Sequence, residues 1–212
     1  MTPLRVPGKG RAVHSGTVKS GGPIRSVALG AVVLAFAVLS VTRNAAWKDA
    51  ITIWADAVEK SPFKVRTYNN LGTAYQGAKR YDDALAVYRR AMALDPTVSL
   101  HAYGNIGNVY LDKEEYERAA DLFTRILAID ANDYQSNVGR GKANYARGRY
   151  AESLADFDRA ISLAPSVSRY YFYRAEVLLK MGEVARARKD LARSCSLRWE
   201  EACMRLREMD KE

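Results

Sequence analysis

The chain has 212 residues, of which 27% are charged and 10% aromatic, enough for one folded domain with a continuous core plus an appendage. Its net charge of +9 is unevenly placed: Arg5, Lys9, Arg11, Lys19, Arg25 and Arg43 supply six of the nine within the first 43 residues, which hold no acid. Acids and bases interleave through the remainder, which makes a solvated surface and not a phosphate-binding stripe, so nucleic acid is excluded as a partner.

Residues 1–23 carry Pro3, Pro7, Pro23 and five glycines among few apolar side chains. Such a composition cannot bury enough surface to offset the entropy of ordering its backbone, and a disordered basic tail is expected. The run Ile24–Thr42 follows, 19 residues with Arg25 as its one charge and VALGAVVLAFAVLSV at its centre. At ~1.5 Å per residue it reaches ~28 Å, close to the thickness of a bilayer's hydrocarbon, with Arg25 snorkelling to the headgroups. Residues 24–43 are therefore expected to form a single transmembrane helix. The basic residues before it place the N-terminus in the cytoplasm and everything after about residue 43 on the far side, in a bacterial inner membrane the periplasm. The Ala35-Phe36-Ala37 triplet leaves a cleaved signal peptide open, and a buried globular helix is the third reading.

Beyond the span the sequence repeats. The small-residue slot Gly72, Gly107, Gly141, Ala175 recurs at intervals of 35, 34 and 34, and so does the slot Ala84, Ala119, Ser153, Ala187. Leu71, Tyr75, Tyr88, Ala91 and Pro96 frame the first pair of slots. Ile106, Tyr110, Phe123, Ile126 and Ala131 frame the second, Phe157, Ala160 and Pro165 the third, and Leu191 and Ser194 the fourth. Small residues at fixed helical spacing mark close helix packing, the aromatics read as core, and Pro96 and Pro165 stop helices they cannot continue. The pattern resembles the tetratricopeptide repeat (TPR) family.

That resemblance implies an all-α solenoid of helix hairpins over residues 64–212, with repeats at about 65–98, 100–133, 134–167 and 168–199 and a capping helix in 200–212. Two positions depart from the pattern: Arg140 stands where a leucine precedes the glycine, and Trp199 takes the place of the closing proline, so an irregular last turn is expected. Ala50, Trp54, Ala57 and Pro62 repeat the spacing of Ala84, Tyr88, Ala91 and Pro96. Residues 44–63 are accordingly read as a connecting half repeat, with the membrane segment as its partner helix.

Cys195 and Cys203 have seven residues between them. Their separation resembles that of the bridged hairpins of Sel1-like repeat proteins, which implies a disulfide if the domain is extracytoplasmic; two unrelated buried thiols is the other reading. No cofactor or metal is expected, because no further Cys or His pair lies near, His14 is in the tail and His101 reads as a surface or groove residue. The sequence also offers no Ser/His/Asp or paired-carboxylate set for an enzyme.

In TPR arrays the first helix of each hairpin lines the inner face, which makes Arg66, Asn69, Asn70, Thr73 and Gln76 candidates for partner contact in the first repeat. His101, Asn105, Asn108 and Asp112 follow in the second, Gln135, Lys142 and Tyr145 in the third, and Arg169, Tyr173 and Glu176 in the fourth. Asn70 and Asn105 hold equivalent slots and resemble the asparagine ladder with which some TPR superhelices hold a peptide backbone; ordinary exposed amides is the alternative. The ladder stops at Gly139 and Tyr173. Chaperone-type carboxylate clamps are not matched, since Asn69, Thr73, Gln135 and Gly139 stand at their positions and only Asn105 agrees.

The junction from Arg43-Asn44 through Trp47, Asp49, Trp54, Val58, Ser61-Pro62 and Arg66 to Asn70-Leu71-Gly72 resembles that before the TPR tail of TMTC-like O-mannosyltransferase proteins. The expectation is a non-catalytic, membrane-anchored scaffold with a protein or peptide ligand in its groove. The alternative is an acceptor-recognition subunit, or detached tail, of a membrane glycosyltransferase system with a polytopic membrane partner.

Overall fold

The computed structural model describes residues 38–39, 49–95 and 99–210. The basic tail, nearly all of the expected span, its join to the half repeat, and Pro96 lie outside the described residues. The chain divides into two units, Met1–Asn44 and Ala45–Glu212. In the first, residues 38–39 are helical. Among the described residues no helix is long and apolar enough to cross a membrane.

The second unit is a succession of helices. After α1, described over residues 49–60, come α2 (Val65–Gly77), α3 (Tyr81–Leu94), α4 (Ser99–Asp112), α5 (Tyr116–Ile129), α6 (Tyr134–Ala146), α7 (Tyr150–Leu163), α8 (Ser168–Lys180), α9 (Val184–Ser196) and α10 (Glu200–Met209). Consecutive helices from α2 onward pack on one another, and α6 touches both α4 and α8, so these three share one face. Each hairpin turns through one residue in the left-handed region: Lys79 at φ 60°, Glu114 at 62°, Gly148 at 73° and Gly182 at 78°. Acids begin the following helices at Asp82, Asp83, Glu117 and Glu152, where the positive end of the helix dipole favours them.

Between hairpins the chain makes a different turn, and the turn after α1 has the same bonds as the turn after α7. Tyr68 donates its hydroxyl to the Pro62 carbonyl at 3.1 Å, and Tyr171 does the same to Pro165 at 3.0 Å. The backbone bonds Ser61 N to Ala57 O and Ala164 N to Ala160 O match as well. At the other end Arg198, at φ 65°, makes the α9–α10 turn a copy of the tight turn inside a hairpin: Trp199 N donates to Ser194 O as Glu183 N donates to Leu178 O. The irregular ending is therefore a left-handed arginine in place of a proline stop. Helix α10 then closes the last apolar cluster with Ala202, Leu206 and Met209 against Leu178 and Leu191. Cys195 and Cys203 are bonded, with Cα atoms 4.8 Å apart, tying α9 to α10.

What holds each of the first three hairpins is an aromatic ring seated on glycine; the fourth has Ala175 and Leu191 at those positions. A Cβ at Gly72 would lie 2.5 Å from the Tyr88 ring, one at Gly107 2.7 Å from the Phe123 ring, and one at Gly141 3.1 Å from the Phe157 ring. The glycines thus make room for the ring four residues beyond the second small slot, a more specific duty than keeping two backbones close. Gly139 is a fourth seat: a Cβ there would stand 2.4 Å from Phe123, so this ring is held between α4 and α6. The small slots fill the same layer, with Ala84, Ala119 and Ala187 fully buried and the Ser153 hydroxyl donating to Gly141 O at 2.7 Å.

Arg140 has a buried partner. Its guanidinium grips Asp156 through Nε at 3.0 Å and Nη2 at 2.6 Å, and Asn144 Nδ2 donates to the same carboxylate at 3.1 Å. One repeat later Arg174 binds Asp190 in the same way, Nε and Nη2 both at 2.7 Å, and reaches Asp158 with Nη1 at 2.7 Å. These positions in the first two repeats are Leu71 with Val87 and Ile106 with Leu122, so a hydrophobic pair becomes a bidentate ion pair halfway along the array. Burial pushes the Asp156 carboxyl above its ordinary range, against the lowering by Arg140 and Asn144. The folded state therefore binds this proton more tightly than the unfolded chain, and the associated stability is present at low pH and lost as pH rises through the folded-state value.

Gly139→Ala should lower stability by about 1–3 kcal/mol in urea denaturation, because Phe123, caught between two glycines, cannot swing away from one without striking the other. Arg140→Ile should lose about 3–5 kcal/mol by leaving Asp156 buried without its cation. That deficit should widen between about pH 4 and pH 7. Adding Asp156→Leu to copy Ile106 and Leu122 should recover most of it, short of about 1–3 kcal/mol for the acceptor that Asn144 loses. A double variant no more stable than Arg140→Ile would refute this account.

Candidate functional site

The face made by α2, α4, α6 and α8 carries two concavities of different chemistry. The first, of about 390 Å³, lies between α2, α4 and α6, with Asn69, His101, Asn105, Asn108 and Gln135 around it and Gly104 in its lining. Asp133 is at its rim but is committed to capping α6, accepting from Gln135 N at 3.1 Å and Ser136 Oγ at 2.6 Å. The second, of about 320 Å³, lies along α6 and α8 and is walled by Tyr145, Phe157, Phe172 and Tyr173, with Lys142 and Glu176 beside them. A polar stretch holding Asn108, Asp112 and Lys142 runs between them, where Gln76 Nε2 donates to Asp112 Oδ2 at 2.6 Å and links α2 to α4.

Most of the candidate residues read from the sequence therefore meet on this face, and four stand apart. Asn70 is half-buried on α2 and lines neither concavity, although its counterpart Asn105 does. Thr73 is turned to internal work, its hydroxyl donating to Asn69 O at 3.0 Å and sharing a hydrogen bond with Tyr88 at 3.2 Å. Arg66 is exposed in the first turn of α2, and Arg169 lies over the Tyr170 ring at 5.7 Å. The ladder of amides stops at Gly139 for a steric reason, since the Phe123 ring occupies the space an asparagine there would need.

Of the lining residues that the sequence did not single out, three bear on the chemistry of the site. Phe157 read as core, which it is, yet its buried ring also floors the second concavity. Phe172 was legible in principle: Phe172-Tyr173 stand in the slots of Asn69-Asn70, so the groove passes from amide to aromatic along the array. Gly104 is the third. It sits inside α4, where a glycine weakens a helix by about 0.5–1 kcal/mol relative to alanine. Unlike the seat glycines it answers to no packing, since a Cβ there would meet nothing within 4 Å. Beside it the Asn69 side-chain oxygen is shut from solvent without a hydrogen-bond donor.

Electrostatically the aromatic end is mixed. The Lys142 ammonium lies 4.4 Å from the centre of the Tyr173 ring. Burial first, and then the charge of Glu176, push the Tyr145 hydroxyl above its usual range. Among the described residues no group of three or more His, Cys, Asp or Glu side chains is gathered that could hold a metal ion.

An array of hairpins with a groove on its first helices defines a helical-repeat scaffold. Tetratricopeptide repeat profiles match residues 65–98, 105–168 and 138–201, more than half of the sequence, and the chain belongs to that family. It is a repeat scaffold of the kind that binds other proteins. No curated protein matches it. Among solved structures it is similar to MamA, at 21% identity and TM-score 0.59 over 74% of this chain and 91% of that one. It is also similar to MamA from Desulfovibrio magneticus RS-1, at 16% identity and TM-score 0.61 over 76% and 90%. A tetratricopeptide repeat protein from Parabacteroides merdae ATCC 43184 aligns at 23% identity and TM-score 0.61 over 73% of this chain and 60% of its own. At these identities the likeness is one of fold.

Proposed function

We propose that this chain is a membrane-anchored scaffold that holds an extended peptide segment of a partner protein along α2, α4 and α6, on the extracytoplasmic side of a bacterial inner membrane. Gly104 is the observation that carries the groove reading. A helical glycine that no neighbour requires, in the lining of an amide-ringed concavity, gives a bound backbone room to approach. The unpartnered Asn69 oxygen supplies an acceptor for one of that backbone's N–H groups, and Asn105, Asn108 and Gln135 can each donate and accept. Membrane anchoring rests on the apolar run at 24–43 and the basic residues before it. The bond between Cys195 and Cys203 fits an oxidising compartment.

Gly104→Ala separates binding from folding because the two effects have opposite signs. The variant should gain about 0.5–1 kcal/mol in stability and retain less of a pool of random twelve-residue peptides passed over the immobilised full chain in detergent. Equal retention by both proteins would refute the groove. Orientation is tested by fusing to the C-terminus a reporter enzyme that folds only outside the cytoplasm; active reporter is expected, and inactive reporter would reverse the topology.

A further inference from the structure

The aromatic end of the groove has a chemistry the amide end lacks. Its rings pack at inclined angles: Phe157 and Tyr173 are 5.7 Å apart at 35°, and Phe172 and Tyr173 6.1 Å apart at 62°. Ring faces carry the negative lobe of the aromatic quadrupole and attract cations. The molecule already shows this attraction, for Lys142 lays its ammonium over Tyr173 although its side chain is exposed and water is close by.

Glu176 adds a second indication. Its Oε1 is shut from solvent and accepts no hydrogen bond; Arg205 Nε, reaching over from α10, stops 3.6 Å away. Arg205 is divided between a long ion pair with this carboxylate and a closer one with Glu208 at 3.3 Å, so Oε1 has a cation nearby but no hydrogen-bond donor. A desolvated carboxylate oxygen without a donor is an unfavourable arrangement that a ligand donor would relieve.

An aliphatic or aromatic side chain would fill the space between the rings and leave Glu176 still without a donor, further from water. An acidic one would face Glu176. A cationic side chain meets the rings and the carboxylate together, and of the two kinds a guanidinium is the better match. It is planar, stacks on a ring, sheds water more readily than an ammonium, and keeps in-plane N–H groups to give while it stacks.

We infer that the pocket of Tyr145, Phe157, Phe172, Tyr173 and Glu176 is a binding site for an arginine side chain of the partner peptide, stacked on Tyr173 and donating to Glu176 Oε1. Lys142 is then an internal competitor, holding the ring face until the ligand displaces it. Specificity is divided along the array: the amide end reads main chain and the aromatic end reads one side chain. This inference rests on the peptide-groove reading for its biological sense.

Its test uses the full chain in detergent with ¹³C-labelled Tyr and Phe rings, titrated with N-acetyl-arginine methylamide and with its uncharged isostere, N-acetyl-citrulline methylamide. Arginine should move the ring signals of Tyr145, Phe172 and Tyr173 and bind about tenfold more tightly than citrulline. Lys142→Ala should tighten arginine binding about threefold or more by removing the competitor. Glu176→Gln, which keeps the shape and removes the charge, should weaken it about tenfold. Thermal melts of both variants confirm that they are folded. No response of the ring signals, equal binding of citrulline, or weaker binding by Lys142→Ala would each overturn the inference. Each leaves the Gly104→Ala comparison untouched, because a single capped residue is too short to lie along the amide end.

Discussion

The inner face of the first three hairpins depends on a ring resting on a glycine. Tyr88, Phe123 and Phe157 each reach to where the first helix of their own hairpin carries no side chain, and Phe123 meets a second glycine on the next hairpin. A buried aromatic contributes more apolar surface than the small residues around it, but only if the facing backbone can come within van der Waals contact. Glycine in a helix is unfavourable by itself, so its use at four seats is compensated by the rings it admits. The spacing of α2, α4 and α6 follows from those seats, and the groove is the surface they leave on the other side.

The array also changes character along its length, and the changes coincide. In the first two repeats the residue before the small slot is apolar and stands in register with an apolar residue sixteen positions on; in the last two it is an arginine gripping a buried aspartate. On the inner face the amides of α2 and α4 give way to the rings of α6 and α8. A fully desolvated carboxylate is a poor source of net stability, but its bidentate arginine admits little else and so discriminates among alternative packings. Repeats 3 and 4 are joined where Arg174 also reaches Asp158, and α10 closes the outer edge through Trp199 against Phe172 and the Cys195–Cys203 bond. The aromatic pocket sits in that half.

The reading of Arg140 shows where sequence reasoning stops. Taken alone it is a charged residue in a slot that elsewhere holds leucine or isoleucine, and it looks like a defect. Arg174 in the same slot one repeat later, each with an aspartate sixteen residues on, is a signal within the sequence that two defects share one remedy. Gly139 carried no such signal: it sits two residues before the seat glycine of its own hairpin, and only the position of Phe123 from the preceding one explains it. The amide candidates fared according to the same logic. Asn69, Asn105 and Asn108 were legible because helix periodicity fixes which side of a helix a residue lies on, whereas the difference between Asn70 and Asn105 depends on what the neighbouring helix covers.

The sequence by itself determined the repeat, its period, the hairpin of helices within each period, and the closing turn before α2, because these follow from spacings along a chain whose helical geometry is constant. It also determined which helix of each hairpin would face inward. Only the tertiary structure decided which ring sits on which glycine, that Arg140 and Arg174 are partnered, that Gly104 stands clear of any neighbour, and that Phe157, assigned to the core, doubles as the floor of a pocket. Those outcomes depend on the distance and rotation between helix axes, which arise from the sum of many contacts between hairpins and are written in no single stretch of residues.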